Sequence, residues 1–413
     1  MNFSRRRSRG VHTLRTRAVR RDGPQQRPRI ALYSHDAQGL GHIRRNLAIA
    51  KALSPLNADI LLLTGAPEAA DLRRTDGIDI VAIPALAKDS DGQYSARHLG
   101  LDLTATLQLR QDILRAALAS FAPDLLIVDK HVRGFKGELE AALAVCRRTP
   151  TRVVLGLRDV LDEAEVARAE WRADDGDAAL RAYYDEVWLY GDPTVHNDAD
   201  VLNLHAPVRA TGYLASGRVP SPETVRRPRS LGTEPYVLGL LGGGSDGTEL
   251  AYAFARARFP DGHRGVLITG PHLPAPARRA VRDLARTRPE LSVHTFRDDI
   301  EHWYAGASAI VSMGGYNTVC EALAAERPLL VVPRVTPRAE QLVRARGLQE
   351  RGALDVCHPD DLDSESLTSW FARTMAAGNE PGHRRHGLDL NGLRRIPAMA
   401  ASLLGLQEVA HSA

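Results

Sequence analysis

The stretch SMGGYNTVCEALAAERPLLVVP, Ser312–Pro333, decides the fold assignment of this chain. An apolar run ends at Ser312, the next two glycines allow a tight turn, and a helical pattern begins at Tyr316. A second apolar run, Leu329–Val332, follows the helical pattern directly. A strand, a glycine turn, a helix and a further strand in this order indicate a crossover unit of a parallel sheet.

Two side chains of that helix have the chemistry of a nucleotide site. Thr318 and Glu321 are three residues apart, so they share one face of the first turns. A carboxylate there can accept both hydroxyls of a ribose, and the helix amino end and the threonine hydroxyl can contact a diphosphate. The alternative is that Glu321 only complements the helix dipole, and the pattern alone leaves both interpretations open.

The same alternation of apolar runs and amphipathic stretches extends through both halves of the chain. The expected strands are Arg29–Ser34, Asp59–Thr64, Asp124–Asp129, Arg152–Leu157 and Glu186–Tyr190, then Tyr236–Leu241, Gly265–Thr269, Leu291–Thr295, Ala309–Ser312 and Leu329–Val332. The expected helices are Ile43–Leu53, Thr104–Ser120, Glu138–Arg147, Thr248–Arg258, Ala275–Arg286, Tyr316–Ala325 and Arg384–Leu404. The chain is therefore predicted to be α/β, with two Rossmann-like domains.

A stretch without apolar periodicity separates the two halves. Residues 216–235 contain four prolines and two glycines, a composition typical of a linker. We therefore predict a first domain at 29–215, a second at 236–383, and a carboxy-terminal helix in 384–413 that packs back toward the first domain. Ligands of open parallel sheets bind beyond the carboxyl ends of the strands, which places the expected site in the cleft between the domains.

Charge and composition exclude several classes of protein. The net charge is +4, but residues 1–28 alone carry nine arginines and one aspartate, so the remainder is mildly acidic. The excess of arginine over the four lysines runs along the whole chain, so we do not expect a nucleic-acid partner. No apolar run approaches the ~20 residues of a membrane helix, and three scattered cysteines form no disulfide or zinc pattern. We expect a cytoplasmic protein with a disordered basic tail at 1–28; peripheral contact with the inner membrane face and a transit peptide remain open.

The first half opens with HDAQGLGHIRRNLAIAKAL, residues 35–53, directly after its first strand. Gly39 and Gly41 allow close approach of a ligand to the backbone, and the following helix directs its amino end into the cleft. His42 lies at that end, where a neutral imidazole can remove a proton from an acceptor hydroxyl, although a capping role is the alternative. Asp129 and Asp159 follow neighbouring strands, so either could be the base instead of His42, or could orient it.

The second half opens in a similar way, with LGLLGGGSDGTEL. The spacing G-x-G-x-x-G at residues 242–247, with Gly243, Gly244 and Ser245 inside it, predicts a loop that contacts phosphate or sugar. A nicotinamide site would need a carboxylate at the tip of the next strand, and none follows Thr269.

These motifs together resemble glycosyltransferase family 28. The run Gly314–Leu323, followed by Arg327-Pro328 and by the stretch 338–341, is similar to the donor-binding domain of that family. The loops at 39–42 and 242–247 are similar to its two glycine-rich loops. The resemblance covers residue 29 to the end, although residues 60–230 match only in layout.

The resemblance implies a GT-B fold, a nucleotide-sugar donor, most simply a UDP-sugar, and neither a metal nor another cofactor. Glu321 would bind the ribose, and Glu340 and Gln341 the hydroxyls of the donor sugar, where peptidoglycan-synthesising members have Gln-Gln. The remaining donor-binding residues that the resemblance implies are Gly314, Gly315, Asn317 and Thr318 at the diphosphate, and Phe296 and Arg297 at the base.

We therefore predict a hexosyltransferase-type glycosyltransferase that acts on an unidentified acceptor: a lipid-linked sugar, a polysaccharide or a small metabolite. A nucleotide-sugar 2-epimerase and a non-catalytic nucleotide-sugar-binding protein are the alternatives. A carboxylate pair such as Asp298-Asp299 could bind a metal ion, but it is better explained as the start of the helix at Ile300.

Overall fold

The structure is a computed structural model that describes residues 27–35, 41–66, 69, 77–88, 93–215, 233–297, 300–378 and 387–406. Gly39, the Asp298-Asp299 pair, most of the predicted linker and nearly all of the basic tail lie outside these ranges. Among the described residues, no helix is long and apolar enough to cross a lipid bilayer.

The first lobe is built on a seven-stranded sheet. Its strands are β1 Arg29–Ser34, β2 Asp59–Thr64, β3 Ile78–Ala82, β6 Leu125–Asp129, β7 Arg152–Arg158, β8 Glu186–Tyr190 and β9 Val208–Ala210, and a separate hairpin pairs β4 Leu86–Lys88 with β5 Tyr94–Ala96. Its helices are α1 Gly41–Ala52, α2 Leu103–Phe121, α3 Glu140–Cys146, α4 Ala164–Ala173, α5 Gly176–Tyr183 and α6 Asp198–Leu202.

The second lobe is built on a six-stranded sheet. Its strands are β10 Tyr236–Leu240, β11 Arg264–Ile268, β12 Leu291–His294, β13 Ala309–Met313, β14 Leu329–Val332 and β15 Asp355–Val356. Its helices are α7 Thr248–Arg256, α8 Ala275–Arg286, α9 Ile300–Gly306, α10 Tyr316–Ala324, α11 Glu340–Glu350 and α12 Ser364–Ala376, and α13 Gly392–Leu404 ends the described chain.

Both large sheets are parallel throughout and reverse their strand order at one point. The orders are β3-β2-β1-β6-β7-β8-β9 and β12-β11-β10-β13-β14-β15. The reversal lies between β1 and β6 in the first sheet and between β10 and β13 in the second, and ligands of doubly wound sheets bind beside such a point. The predicted α/β class with two Rossmann-like sheets is thus confirmed.

Apolar residues fill both faces of each sheet, which explains the nearly continuous apolar runs in the sequence. In β1, Ile30 and Leu32 pack on one face while Ala31 and Tyr33 pack on the other. The core that contains Ile30 continues through the second lobe and α13, so the lobes and the last helix share apolar contacts.

The last helix begins later than the predicted Arg384. Asn391 forms a β-bridge with Leu214, and the Tyr213 amide donates to the Asp389 carbonyl at 2.7 Å. These bonds hold the described residues before Gly392 out of helical geometry. From there α13 packs against α1 of the first lobe.

Candidate active site

The two reversal points face each other, and direct bonds join them. The Asn317 side chain at the start of α10 donates to the Gly41 carbonyl at the start of α1 at 2.9 Å. The Leu214 amide donates to the Tyr316 hydroxyl at 3.1 Å. The amino ends of α1 and α10 therefore lie together in the cleft. The Nδ2 group of Asn317, a residue that the resemblance places at the donor, thus bonds to the other lobe.

His42, Asp129 and Arg45 form a compact polar group, the His42 cluster. The His42 Nδ1 contacts Asp129 Oδ2, and Arg45 Nη2 donates to both oxygens of that carboxylate, at 2.7 and 2.5 Å. Asp129 and Arg45 are buried, whereas the His42 side chain remains 18% exposed. The accessible group is therefore the imidazole, and Asp129 is the group that holds it.

The electrostatics keep Asp129 ionised. Burial alone would raise the pKa of this carboxyl, but the Arg45 guanidinium and the His42 ring outweigh burial and hold it well below its usual range. Arg45 Nη2 also lies 2.9 Å from His42 Nδ1, but Asp129 Oδ2 is closer. Because a carboxylate only accepts hydrogen bonds, we assign the Nδ1 proton to the contact with Asp129. The Nε2 atom of a neutral His42 then has the free lone pair that a general base requires.

Asp159, the other carboxylate predicted as a base, is held by the second lobe. Arg344 of α11 donates to it through Nε at 2.8 Å and through Nη2 at 2.8 Å. The Val160 amide donates to the same carboxylate, also at 2.8 Å. Asp159 and Arg344 are both buried. Their geometry is that of a structural ion pair between the lobes, so it does not favour Asp159 as a base.

An open cavity lies beside the helix ends, at the carboxyl edge of the second sheet. Most of its wall comes from the second lobe, and Arg44 is contributed by α1 of the first. Its lining residues are Arg44, Leu240, Gly242, Ile268, Gly270, Thr295, Phe296, Arg297, Ile300, Tyr304, Thr318 and Glu321. Four residues named from the sequence as donor-binding are thus brought together here: Phe296, Arg297, Thr318 and Glu321.

Glu321 has a distinctive environment in this wall. Burial raises the pKa of its carboxyl, while the Arg44 guanidinium and a hydrogen bond from the Tyr304 hydroxyl oppose that rise. Tyr304 is buried, and the pKa of its phenol is raised by burial and by the Glu321 carboxylate. The tyrosine thus fixes the glutamate, which also lines the cavity.

Glu340 and Gln341 lie at the start of α11, on the cleft side of the second lobe. Arg334 contacts Glu340 Oε1, and the Arg334 amide donates to Gln341 Oε1 at 3.0 Å. The second oxygen of Glu340 is buried without a hydrogen-bond partner among the described residues. A buried acceptor of this kind is suited to a ligand hydroxyl.

The glycine loop of the second lobe contributes mainly through its backbone. Gly244 has φ +95°, and a Cβ there would lie 2.3 Å from the Thr269 carbonyl oxygen, so only glycine fits. Gly243 and Ser245 are exposed and do not line the cavity. Gly314 is packed against Gln341, whereas Gly315 has open space around it, which leaves room for a ligand at the start of α10.

The sequence interpretation missed Arg44, Arg45 and Tyr304. Two consecutive arginines in the first turns after the Gly-His loop are the signal that could have drawn attention to the first two. Tyr304 gave no such signal, because its partner Glu321 lies on another helix.

Comparison with known proteins supports the sequence interpretation. Residues 240–387 match the model of the glycosyltransferase family 28 C-terminal domain. A relative from Rubrobacter xylanophilus, the UDP-N-acetylglucosamine–N-acetylmuramyl-(pentapeptide) pyrophosphoryl-undecaprenol N-acetylglucosamine transferase, is 30% identical over 152 residues. That match covers 36% of this chain and only 43% of the relative. The protein of the same name from Solidesulfovibrio magneticus is 25% identical over 404 residues, which are 90% of this chain and 92% of the relative.

A solved structure shows the same fold over nearly the whole chain. The calicheamicin glycosyltransferase CalG4 superposes with a TM-score of 0.58 at 20% identity, over 93% of this chain and 100% of its own. At that level of identity, the likeness bears on the fold alone.

Proposed function

We propose, from the match of residues 240–387 to the glycosyltransferase family 28 C-terminal domain, that this chain is a family 28 glycosyltransferase of the GT-B fold and transfers a hexosyl unit from a UDP-sugar to an acceptor hydroxyl. One observation carries the proposal. A pocket with Glu321 and Thr318 in its wall opens in the same cleft as the His42–Asp129 pair of the opposite lobe. A bound donor and the base would therefore lie on opposite sides of the cleft.

The cavity suits a nucleoside diphosphate. Glu321 would accept the ribose hydroxyls, and the start of α10 with Thr318 would hold the diphosphate, where the helix dipole favours negative charge. Phe296, which is 48% exposed at the cavity edge, offers a face for the base. The uridine and the sugar class are proposed from the relatives, whose names specify UDP-N-acetylglucosamine.

The proposed reaction is a direct displacement at the anomeric carbon. The acceptor oxygen forms its bond to C1 as the bond from C1 to the diphosphate oxygen breaks, and the acceptor proton passes to His42 Nε2. The leaving diphosphate gains negative charge, which the amino end of α10 stabilises. The close contact of the two lobes limits the access of water, which would otherwise hydrolyse the donor.

Replacing Glu321 with alanine should weaken UDP-sugar binding by about 10- to 100-fold, since hydrogen bonds to a charged group contribute about 1.5–3 kcal/mol. Calorimetric titration with UDP-N-acetylglucosamine and UDP-glucose measures the effect. Glu350→Ala is the matched control, because Glu350 is exposed on the same lobe. Equal dissociation constants for the two variants would refute the donor site.

Incubation of the wild type with the UDP-sugar alone tests the alternative function, because conversion of the donor without an acceptor would indicate an epimerase.

Arg44 is expected to contribute to donor binding from the opposite lobe. It lines the cavity and lies close enough to Glu321 to influence that carboxyl, so the diphosphate of a bound donor would lie within its field. We expect Arg44→Gln to raise the dissociation constant of the UDP-sugar about tenfold, because the substitution removes one charge-assisted hydrogen bond. Lys51→Gln, an exposed change on the same helix, is the control and should leave it unchanged.

A further inference from the structure

Most charged groups of the cleft around the His42 cluster are paired. The ion pairs are Asp129 with Arg45, Asp159 with Arg344, Asp162 and Glu170 with Arg338, and Glu340 and Asp246 with Arg334. Two further cations, Lys130 and Arg158, make neither a hydrogen bond nor an ion pair through their side chains within the described part of the chain.

Lys130 and Arg158 lie at the carboxyl ends of neighbouring parallel strands. Lys130 directly follows Asp129 at the tip of β6, and its amide donates to the Gly156 carbonyl of β7 at 2.9 Å. Arg158 is the last residue of β7. Both side chains are half-buried, and the Arg158 Nε is fully buried without a partner among the described residues. The register, in which Asp129 pairs with Gly156, therefore places the two cations at adjacent strand ends.

Both side chains are disfavoured in their charged forms. Burial and the Arg158 charge lower the pKa of Lys130 to about 8. Burial, Arg344 and Arg45 lower the pKa of Arg158 to about 10. Two like charges withdrawn from water without partners are costly, so a bound anion would stabilise this arrangement.

The position of the pair indicates where that anion would lie. Arg158 experiences both the Arg45 charge of the His42 cluster and the Glu340 carboxylate across the cleft. Lys130 experiences the carboxylate of Glu170 in α4 and, to a smaller extent, that of Glu340. The pair therefore lies between the proposed base and the proposed sugar-binding end of the donor site, where an acceptor would be held for reaction.

We propose that Lys130 and Arg158 bind an anionic group, a phosphate or a carboxylate, of the acceptor substrate; the assignment rests on the proposed sugar transfer. The first lobe supplies both cations, whereas the diphosphate of the donor belongs to the start of α10 in the second lobe. The Glu340 carboxylate would repel an anionic donor sugar, and an uncharged acceptor would leave both cations uncompensated.

Binding of small anionic sugars to the full chain tests this site separately from the donor site. Glucose 1-phosphate and glucuronate are titrated into the protein in saturating UDP, which occupies the donor diphosphate position. Lys130→Gln and Arg158→Gln should each weaken binding of the anionic sugars at least tenfold and leave UDP binding unchanged. Lys136→Gln is the control, because Lys136 is an exposed lysine six residues after Lys130.

Several outcomes would overturn the proposal. One is a wild type that binds neither anionic sugar, and another is a set of variants that bind them as the control does. A third is an Arg158 variant that loses binding of UDP-glucuronate but keeps binding of UDP-glucose. That result would show that the two cations bind an anionic donor sugar and not the acceptor. In each case normal binding of UDP-sugars by the wild type would leave the proposed transfer intact, whereas absence of that binding would refute the transfer itself.

Discussion

Replacing His42 with alanine is expected to lower kcat by about 10²- to 10⁴-fold, the usual contribution of a positioned general base. Donor affinity should remain within about threefold of the wild type, because His42 does not line the nucleotide cavity. The measurements are UDP release in the presence of acceptor and calorimetric titration with the UDP-sugar. A loss of kcat without a loss of donor binding is the signature of a group that acts in the transition state.

Asp129→Asn tests the orientation of the same imidazole. An amide at this position can donate toward Nδ1, which favours the tautomer with the proton on Nε2 and removes the lone pair that the base requires. We expect kcat to fall about as far as in His42→Ala, and the double variant to be little worse than either single one. A fully active His42→Ala enzyme would exclude this histidine as the base, and additive losses would show that the two residues act independently.

Replacing Asp159 with alanine is expected to destabilise the protein by about 3–5 kcal/mol, because it leaves the buried Arg344 guanidinium without its carboxylate. The pair joins β7 of the first lobe to α11 of the second, so the loss weakens the contact between the lobes as well as the fold. Urea unfolding followed by circular dichroism measures the change. The double variant Asp159→Leu with Arg344→Met should recover part of the stability, because it removes both charges together.

An exposed ion pair supplies the control for that experiment. Asp283 and Arg286 of α8 are in contact at 2.7 Å, but 63% and 80% of their side chains are exposed. Asp283→Ala should therefore change the unfolding midpoint very little. If Asp159→Ala were no more destabilising than Asp283→Ala, the buried pair would not be a structural link between the lobes.

The regular elements could be predicted well from the sequence where the chain is buried on both sides. Central strands such as Asp59–Thr64 and Leu329–Val332 were predicted with the observed limits, because both faces of a parallel strand are apolar. The edge strands β3, β9 and β15 were not predicted. They are short or partly exposed, so their apolar signal is weak.

The site was predictable in part for the same reason. Strand tips and glycine turns are local features, so His42, Asp129, Thr318 and Glu321 could be named from the sequence as candidates. The residues that each of these side chains contacts could not be predicted from the sequence. Asp129 ends β6 and Asp159 directly follows the neighbouring β7, yet Asp129 contacts His42 and Asp159 contacts Arg344.

The sequence by itself determined the α/β class, the two parallel sheets, the glycine-rich turns and the side chains available at the strand tips. All of these depend on residues within a few positions of one another. The tertiary structure alone decided which tips meet: His42 reaches Asp129 across 87 residues of chain, and Arg344 reaches Asp159 across 185. The physical reason is that strand order and lobe contact, which no local pattern encodes, set the distances between charges, and those distances separate an oriented base from a buried structural pair.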